Sequence, residues 1–165
     1  MTKLTVYNQY SDVMFSPDRL RSVVAELAAH LPHLREEFNF DTIVVSGKSG
    51  AAVGFALSMV TDINVVFVRK GESTHGDMIE GPSGHKFTRY AFFDDFVASG
   101  ATRDRVHSEL QKYAENRSAD APERVLTIEY QKYNDRVSHL TASKYDKRFQ
   151  VAAPYELPAR QISIH

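Results

Sequence analysis

The sequence predicts an open α/β fold, with a central, mostly parallel sheet flanked by helices. Three observations carry this expectation. The runs Thr42–Val45, Asn64–Val68 and Tyr90–Phe93 are short and densely apolar, as strands covered on both faces require. They alternate along the chain with segments of helical character, the pattern of parallel strands joined by crossover helices. The chain has 165 residues, 42% hydrophobic and 25% charged, which suits one domain (1–165) with its own core.

The elements follow in order. Ser16, Pro17 and Asp18 offer a cap, a proline for the first helical position and an acid in the first turn. Leu20, Val23, Val24, Leu27 and Leu31 then share one face of a helix, and Pro32 is expected to end it. A β-branched strand at Thr42–Val45 runs into the turn at Ser46-Gly47, and a helix rich in small residues follows over about Ala51–Val60. After the strands at 64–68 and 90–93, a helix is expected over about Ala101–Glu115. A fourth strand, Val125–Tyr130, alternates Val125, Thr127 and Glu129 against Leu126, Ile128 and Tyr130. From about Asn134 to His165 there is no clear period, and a small lobe or hairpin is expected.

Composition excludes several classes. No apolar run approaches the ~18 residues of a membrane helix, and the N-terminal stretch has no continuous apolar segment of the secretory kind. The absence of cysteine rules out disulfides and zinc-thiolate centres. A net charge of −1 argues against bulk nucleic acid as the main partner. His30 and His33 are three apart, but Pro32 lies between them, so no metal pair is expected. The expectation is a cytoplasmic enzyme or small-molecule binder with no membrane partner.

The segment Phe92–Thr102 carries the chemistry. Two apolar residues, the adjacent acids Asp94 and Asp95, and a turn of small and hydroxyl residues lead directly into a helix. Such a turn offers free backbone N–H groups to a phosphate dianion, Ser99 and Thr102 add hydroxyls, and Gly100 lets the backbone come close. Acids one step earlier suit the hydroxyls of a sugar phosphate. Ser46-Gly47-Lys48-Ser49-Gly50 is a second candidate anion turn. It is not a P-loop, because Thr42 stands where that motif needs its first glycine. The connection from Arg69 to Arg89 is long and Gly-rich, as lids often are, and it opens with two cations followed by His75.

The string Phe92–Thr102 resembles the phosphoribosyl-pyrophosphate signature of type I phosphoribosyltransferases. Asp94, Asp95, Val97, Ala98, Ser99, Gly100 and Thr102 fit the pattern, whereas Ala91 and Phe96 stand where aliphatic residues are more usual. Ser46–Gly50 stands where that family has its pyrophosphate loop. Arg69–Gly76 is similar to the lid loop of the orotate enzymes, with Ser73 in place of their loop lysine. Val66–Lys70, and Val13–Pro17 ahead of the first helix, also resemble the adenine enzymes. The resemblance extends from about Met14 to Thr127.

The resemblance implies a type I phosphoribosyltransferase-like fold with a flexible lid loop. It also implies a small hood, drawn from residues before 41, from 134–165, or both. The implied reaction transfers ribose 5-phosphate from phosphoribosyl pyrophosphate to a purine or pyrimidine nucleobase, with release of pyrophosphate. Ala98, Ser99, Gly100, Ala101 and Thr102 would hold the 5-phosphate. Ser46, Gly47, Lys48, Ser49 and Gly50 would hold pyrophosphate. Asp94 and Asp95 would engage the ribose hydroxyls and Mg²⁺, and Arg69, Lys70 and His75 would complete the catalytic set. By the same analogy a homodimer is expected. The alternative is a non-catalytic regulatory protein of the same fold that binds phosphoribosyl pyrophosphate or a nucleotide. Ser73 is the residue that favours it.

Overall fold

The computed structural model describes residues 12–71, 77–95, 99–133, 137–144 and 147–149. A short helix α1 (Asp12–Phe15) precedes α2 (Pro17–Phe38), which has Ser16 at its cap position and Pro17 as its first residue. Pro32 does not end α2 as the sequence suggested. The helix continues for six more residues and stops at Asn39, which is left-handed (φ 50°). An interior proline costs a helix roughly 3 kcal/mol. Here Leu31 and Leu34, 2% and 1% exposed, bury on either side of it and hold the helix through the break.

Strand β1 (Thr42–Ser46) runs directly into α3 (Gly47–Ser58). The helix begins four residues earlier than the sequence suggested, so Gly47–Gly50 is its first turn and not a preceding loop. Strands β2 (Asn64–Val68), β3 (Ile79–Glu80) and β4 (Arg89–Asp94) lead to α4 (Ala101–Glu115), and β5 (Glu123–Tyr133), β6 (Val137–Lys144) and β7 (Lys147–Phe149) complete the described elements. The connection from Arg69 to Arg89 therefore contains a strand, β3, which pairs antiparallel with β2, and beside that pairing the Arg69 N–H donates to the Met78 carbonyl (2.9 Å).

The sheet has seven strands in the order β3-β2-β1-β4-β5-β6-β7. The four central strands β2, β1, β4 and β5 are parallel; β3, β6 and β7 pair antiparallel at the edges. The irregular segment after Asn134 thus supplies β6 and β7, which extend the sheet, and residues 150–165 lie outside the described part. Helices α2 and α3 cover one face, against Ile43, Val45, Ala91, Phe93 and Ile128. Helix α4 covers the other, against Val44, Val66, Tyr90 and Phe92.

This order places the site. From β1 the chain crosses by α3 to β2 on one side, and from β4 it crosses by α4 to β5 on the other. Right-handed crossovers running in opposite directions put α3 and α4 on opposite faces. The strand order therefore reverses between β1 and β4, where Val45 is in register with Phe93. The crevice outside the carboxyl ends of such neighbours is where open α/β sheets bind ligands.

Candidate functional site

At this switch point β1 ends in Ser46, β2 in Val68 and β4 in Asp94, so three of the sequence-selected segments converge on one edge. Helix α3 starts at Gly47 behind Ser46, and α4 starts at Ala101 behind Gly100; neither N-cap residue makes a side-chain capping bond. Two helix N-termini thus meet at the same edge from opposite faces of the sheet. Each is suited to an anion.

Small residues bring the α3 turn against the acids. A Cβ on Gly50 would lie 2.9 Å from the Phe93 carbonyl oxygen and 3.4 Å from Asp94 Oδ1. Ser49 Oγ donates to Asp94 Oδ1 at 3.4 Å, and the Asp95 N–H donates to the same oxygen at 2.9 Å. Lys70 arrives from the end of β2 with its ammonium over Gly47, where a Cβ would be 2.9 Å from Nζ. Ser46, Gly47, Ser49, Gly50, Lys70, Asp94 and Asp95 are therefore brought together.

Asp94 is 6% exposed. Burial, and then the neighbouring Asp95, push its pKa up to about 7, while the Lys70 ammonium acts in the opposite direction. A carboxyl driven towards its neutral form in this way is one that a divalent cation would restore to the charged state. With Asp95 beside it, the pair offers the hard oxygen donors that suit Mg²⁺, an ion held by one or two carboxylates plus substrate oxygens. Among the described residues no group of three metal-ligating side chains forms a protein-only metal cage.

The remaining selected residues are placed differently. Lys48 is exposed on the first turn of α3. The Arg69 guanidinium is drawn to Glu80 on β3, at the sheet edge, and not over the α3 turn. At the start of α4, Ser99 is exposed and its Oγ accepts from the Ala101 N–H at 3.3 Å; Ala101 is exposed and Thr102 half-buried. Gly100 caps the helix with φ 77°. Ala98 and His75, together with Ser73, lie outside the described residues.

Four residues at this edge were not singled out from the sequence. The Tyr130 hydroxyl donates to the Ser49 carbonyl (2.8 Å), and its ring stacks on Phe93 with centroids 5.2 Å apart. Burial raises its pKa, so it remains a donor. Arg105 reaches from α4 to the ends of β1 and β2. The Arg103 guanidinium folds over Gly100, where a Cβ would be 2.8 Å from Nη2. Glu129, 5% exposed, is in register with Asp94 on β5. The alternation of β5 was legible, but the partners of these four residues are set by long-range register and crossover geometry.

Among the described residues, hollows also lie away from this edge. One of about 610 Å³ sits at the opposite end of the sheet, between Arg35, Asp41 and Arg89. Another, of about 1340 Å³, runs beside α4 between Tyr113 and Phe87. No described helix is long and apolar enough to cross a membrane.

No protein-family model matches the chain, and no curated protein does. Solved structures do. Leishmania donovani UMP synthase aligns with a TM-score of 0.53 at 22% identity, over 73% of this chain and 24% of that one. Orotate phosphoribosyltransferase from Aeropyrum pernix aligns with a TM-score of 0.52 at 11% identity, over 72% of this chain and 62% of that one. The chain thus spans less than two thirds of either protein. Sheet order, crossovers and these alignments define one class of fold, that of the type I phosphoribosyltransferases.

Proposed function

We propose that the protein is a phosphoribosyltransferase, moving ribose 5-phosphate from phosphoribosyl pyrophosphate to a nitrogen of a nucleobase and releasing pyrophosphate. The observation that carries this reading is the meeting of two helix N-termini, one lysine and an acidic pair at the β1/β4 switch point. A ligand with phosphate groups at both ends and a diol between them matches that arrangement. The α4 turn takes the 5-phosphate through backbone amides, and the α3 turn with Lys70 takes the pyrophosphate.

The chemistry sets two demands. As the bond from the ribose C1 to pyrophosphate breaks, positive charge grows on the ribose and negative charge on the leaving group. Asp94 and Asp95 accept hydrogen bonds from the ribose hydroxyls and hold the sugar while its anomeric carbon is exposed. The α3 amides and the Lys70 ammonium stabilise the departing pyrophosphate with donors oriented before the reaction begins. Mg²⁺, when bound by Asp94 and Asp95, supplies further neutralisation of charge on pyrophosphate. The segment Arg69–Gly76, which resembles the lid loop of the orotate enzymes, is assigned through His75 to excluding water from the cationic centre. A homodimer remains part of this proposal by analogy of fold.

The test is release of pyrophosphate from phosphoribosyl pyrophosphate with Mg²⁺ and a panel of purine and pyrimidine bases. Release that depends on one base and on Mg²⁺ is expected. Tight binding of phosphoribosyl pyrophosphate without release for any base would replace the enzyme with a non-catalytic binder. Absence of binding would overturn both.

A further inference from the structure

We propose that Arg105 is a positioning residue that fixes the interval between the pyrophosphate end and the ribose-phosphate end of the site. This inference rests on the function proposed above and adds a residue that touches neither ligand end. Arg105 lies on the second turn of α4, the helix whose N-terminus is assigned to the 5-phosphate. Its guanidinium leaves α4 and crosses to the other two strand ends. Nη1 donates to the Arg69 carbonyl at 2.8 Å, and Nη2 donates to Ser46 Oγ at 2.7 Å. Ser46 Oγ in turn donates its single proton to the Val68 carbonyl at 2.7 Å.

The direction of this chain is fixed by its atoms. A guanidinium has only donors and keeps its charge, so the serine oxygen must accept from it and pass its own hydrogen on to Val68. One planar fork therefore ties α4 to the residue that caps α3 and to the residue that precedes Lys70. Both halves of the pyrophosphate grip, the α3 turn and Lys70, are held at a set distance from the α4 turn. A ligand with phosphate groups on opposite ends of a ribose needs that distance, whereas either half of the ligand alone does not.

The experiment follows from this difference. In Arg105→Lys and Arg105→Gln, affinities for ribose 5-phosphate, for pyrophosphate and for phosphoribosyl pyrophosphate are titrated separately with Mg²⁺ present. Each half is expected to bind within about threefold of wild type, while the joined ligand loses about 30-fold, the effect of one charge-assisted link. In turnover, KM for phosphoribosyl pyrophosphate rises and KM for the base does not. Ser46→Ala cuts the Arg105–Ser46 link without touching the guanidinium. Adding it to Arg105→Lys is expected to cause less loss than the two single effects combined, because both act on one chain of bonds. Equal weakening of all three ligands, or of none, overturns the inference and leaves the proposed function standing. Failure of the wild type to bind any of the three overturns the proposed function, and this inference with it.

Discussion

The Tyr130 hydroxyl donates a 2.8 Å hydrogen bond to the carbonyl of Ser49, a residue 81 positions earlier in the chain. Strand β5 thereby holds the first turn of α3, and the ring that carries the hydroxyl is itself fixed by stacking on Phe93 of β4. A tyrosine that reads in sequence as a plain strand residue thus ties the first turn of α3 to β5.

Tyr130→Phe keeps the ring and removes only this donor. The expected loss is about 1 kcal/mol of stability, typical of one buried hydrogen bond. KM for phosphoribosyl pyrophosphate should rise, with little change in KM for the base. Urea unfolding and steady-state kinetics measure the two effects.

Gly50→Ala places a methyl group 2.9 Å from the backbone oxygen of Phe93, which cannot move aside as a side chain can. The expected cost is about 1–3 kcal/mol, as for other overpacked sites, with α3 displaced from Asp94. Thermal unfolding and pyrophosphate affinity should fall together. An unchanged melting temperature would show that the sheet accommodates the methyl group.

Replacing both Asp94 and Asp95 by Asn removes the acceptors assigned to the ribose hydroxyls and Mg²⁺. Turnover is expected to drop by two orders of magnitude or more, given that one well-placed group is worth ~3 kcal/mol in such sites. Far-ultraviolet circular dichroism should be unchanged, because burying a neutral amide in place of Asp94 is no harder than burying its charged form. Wild-type rates in the double variant would refute the assignment.

His30 contributes one acid-sensitive part of the stability, alongside His107, whose pKa burial also lowers, and against Asp94, whose raised pKa acts in the opposite sense. His30 is 1% exposed, and among the described residues neither ring nitrogen has a hydrogen-bond partner. Burial, and secondarily His33, lower its pKa below the ordinary value. The folded protein therefore refuses a proton that the unfolded chain accepts. Stability from this source is complete above pH ~6.5 and declines as the pH falls through that value, until the folded pKa is reached. The slope is at most about 1.4 kcal/mol per pH unit, and His30→Leu should flatten it. Urea midpoints measured at successive pH values from about 7.5 down to 5 test the difference.

Much of this architecture was legible because it rests on local signals. The apolar runs at 42–45, 64–68 and 90–93 named the strands, and Ser16-Pro17 opened α2 where the structure opens it. Pro32 misled because the price of an interior proline is local, whereas the burial of Leu31 and Leu34 that outweighs it is tertiary. That helices start beside Ser46-Gly47 and Gly100 could be read from the small residues there, although α3 already begins at Gly47. The fork from Arg105 could not, since its partners lie 36 and 59 residues away and meet it only after both crossovers are made.

Helices α3 and α4 belong to different layers, yet both begin at the β1/β4 edge with no capping bond from the side chain of the N-cap residue. A molecule bearing an anion at each end would stitch the two layers across the sheet that separates them. Occupancy should then slow amide hydrogen exchange at the starts of both helices in concert, so that ligand binding reports on the cohesion of the whole sandwich.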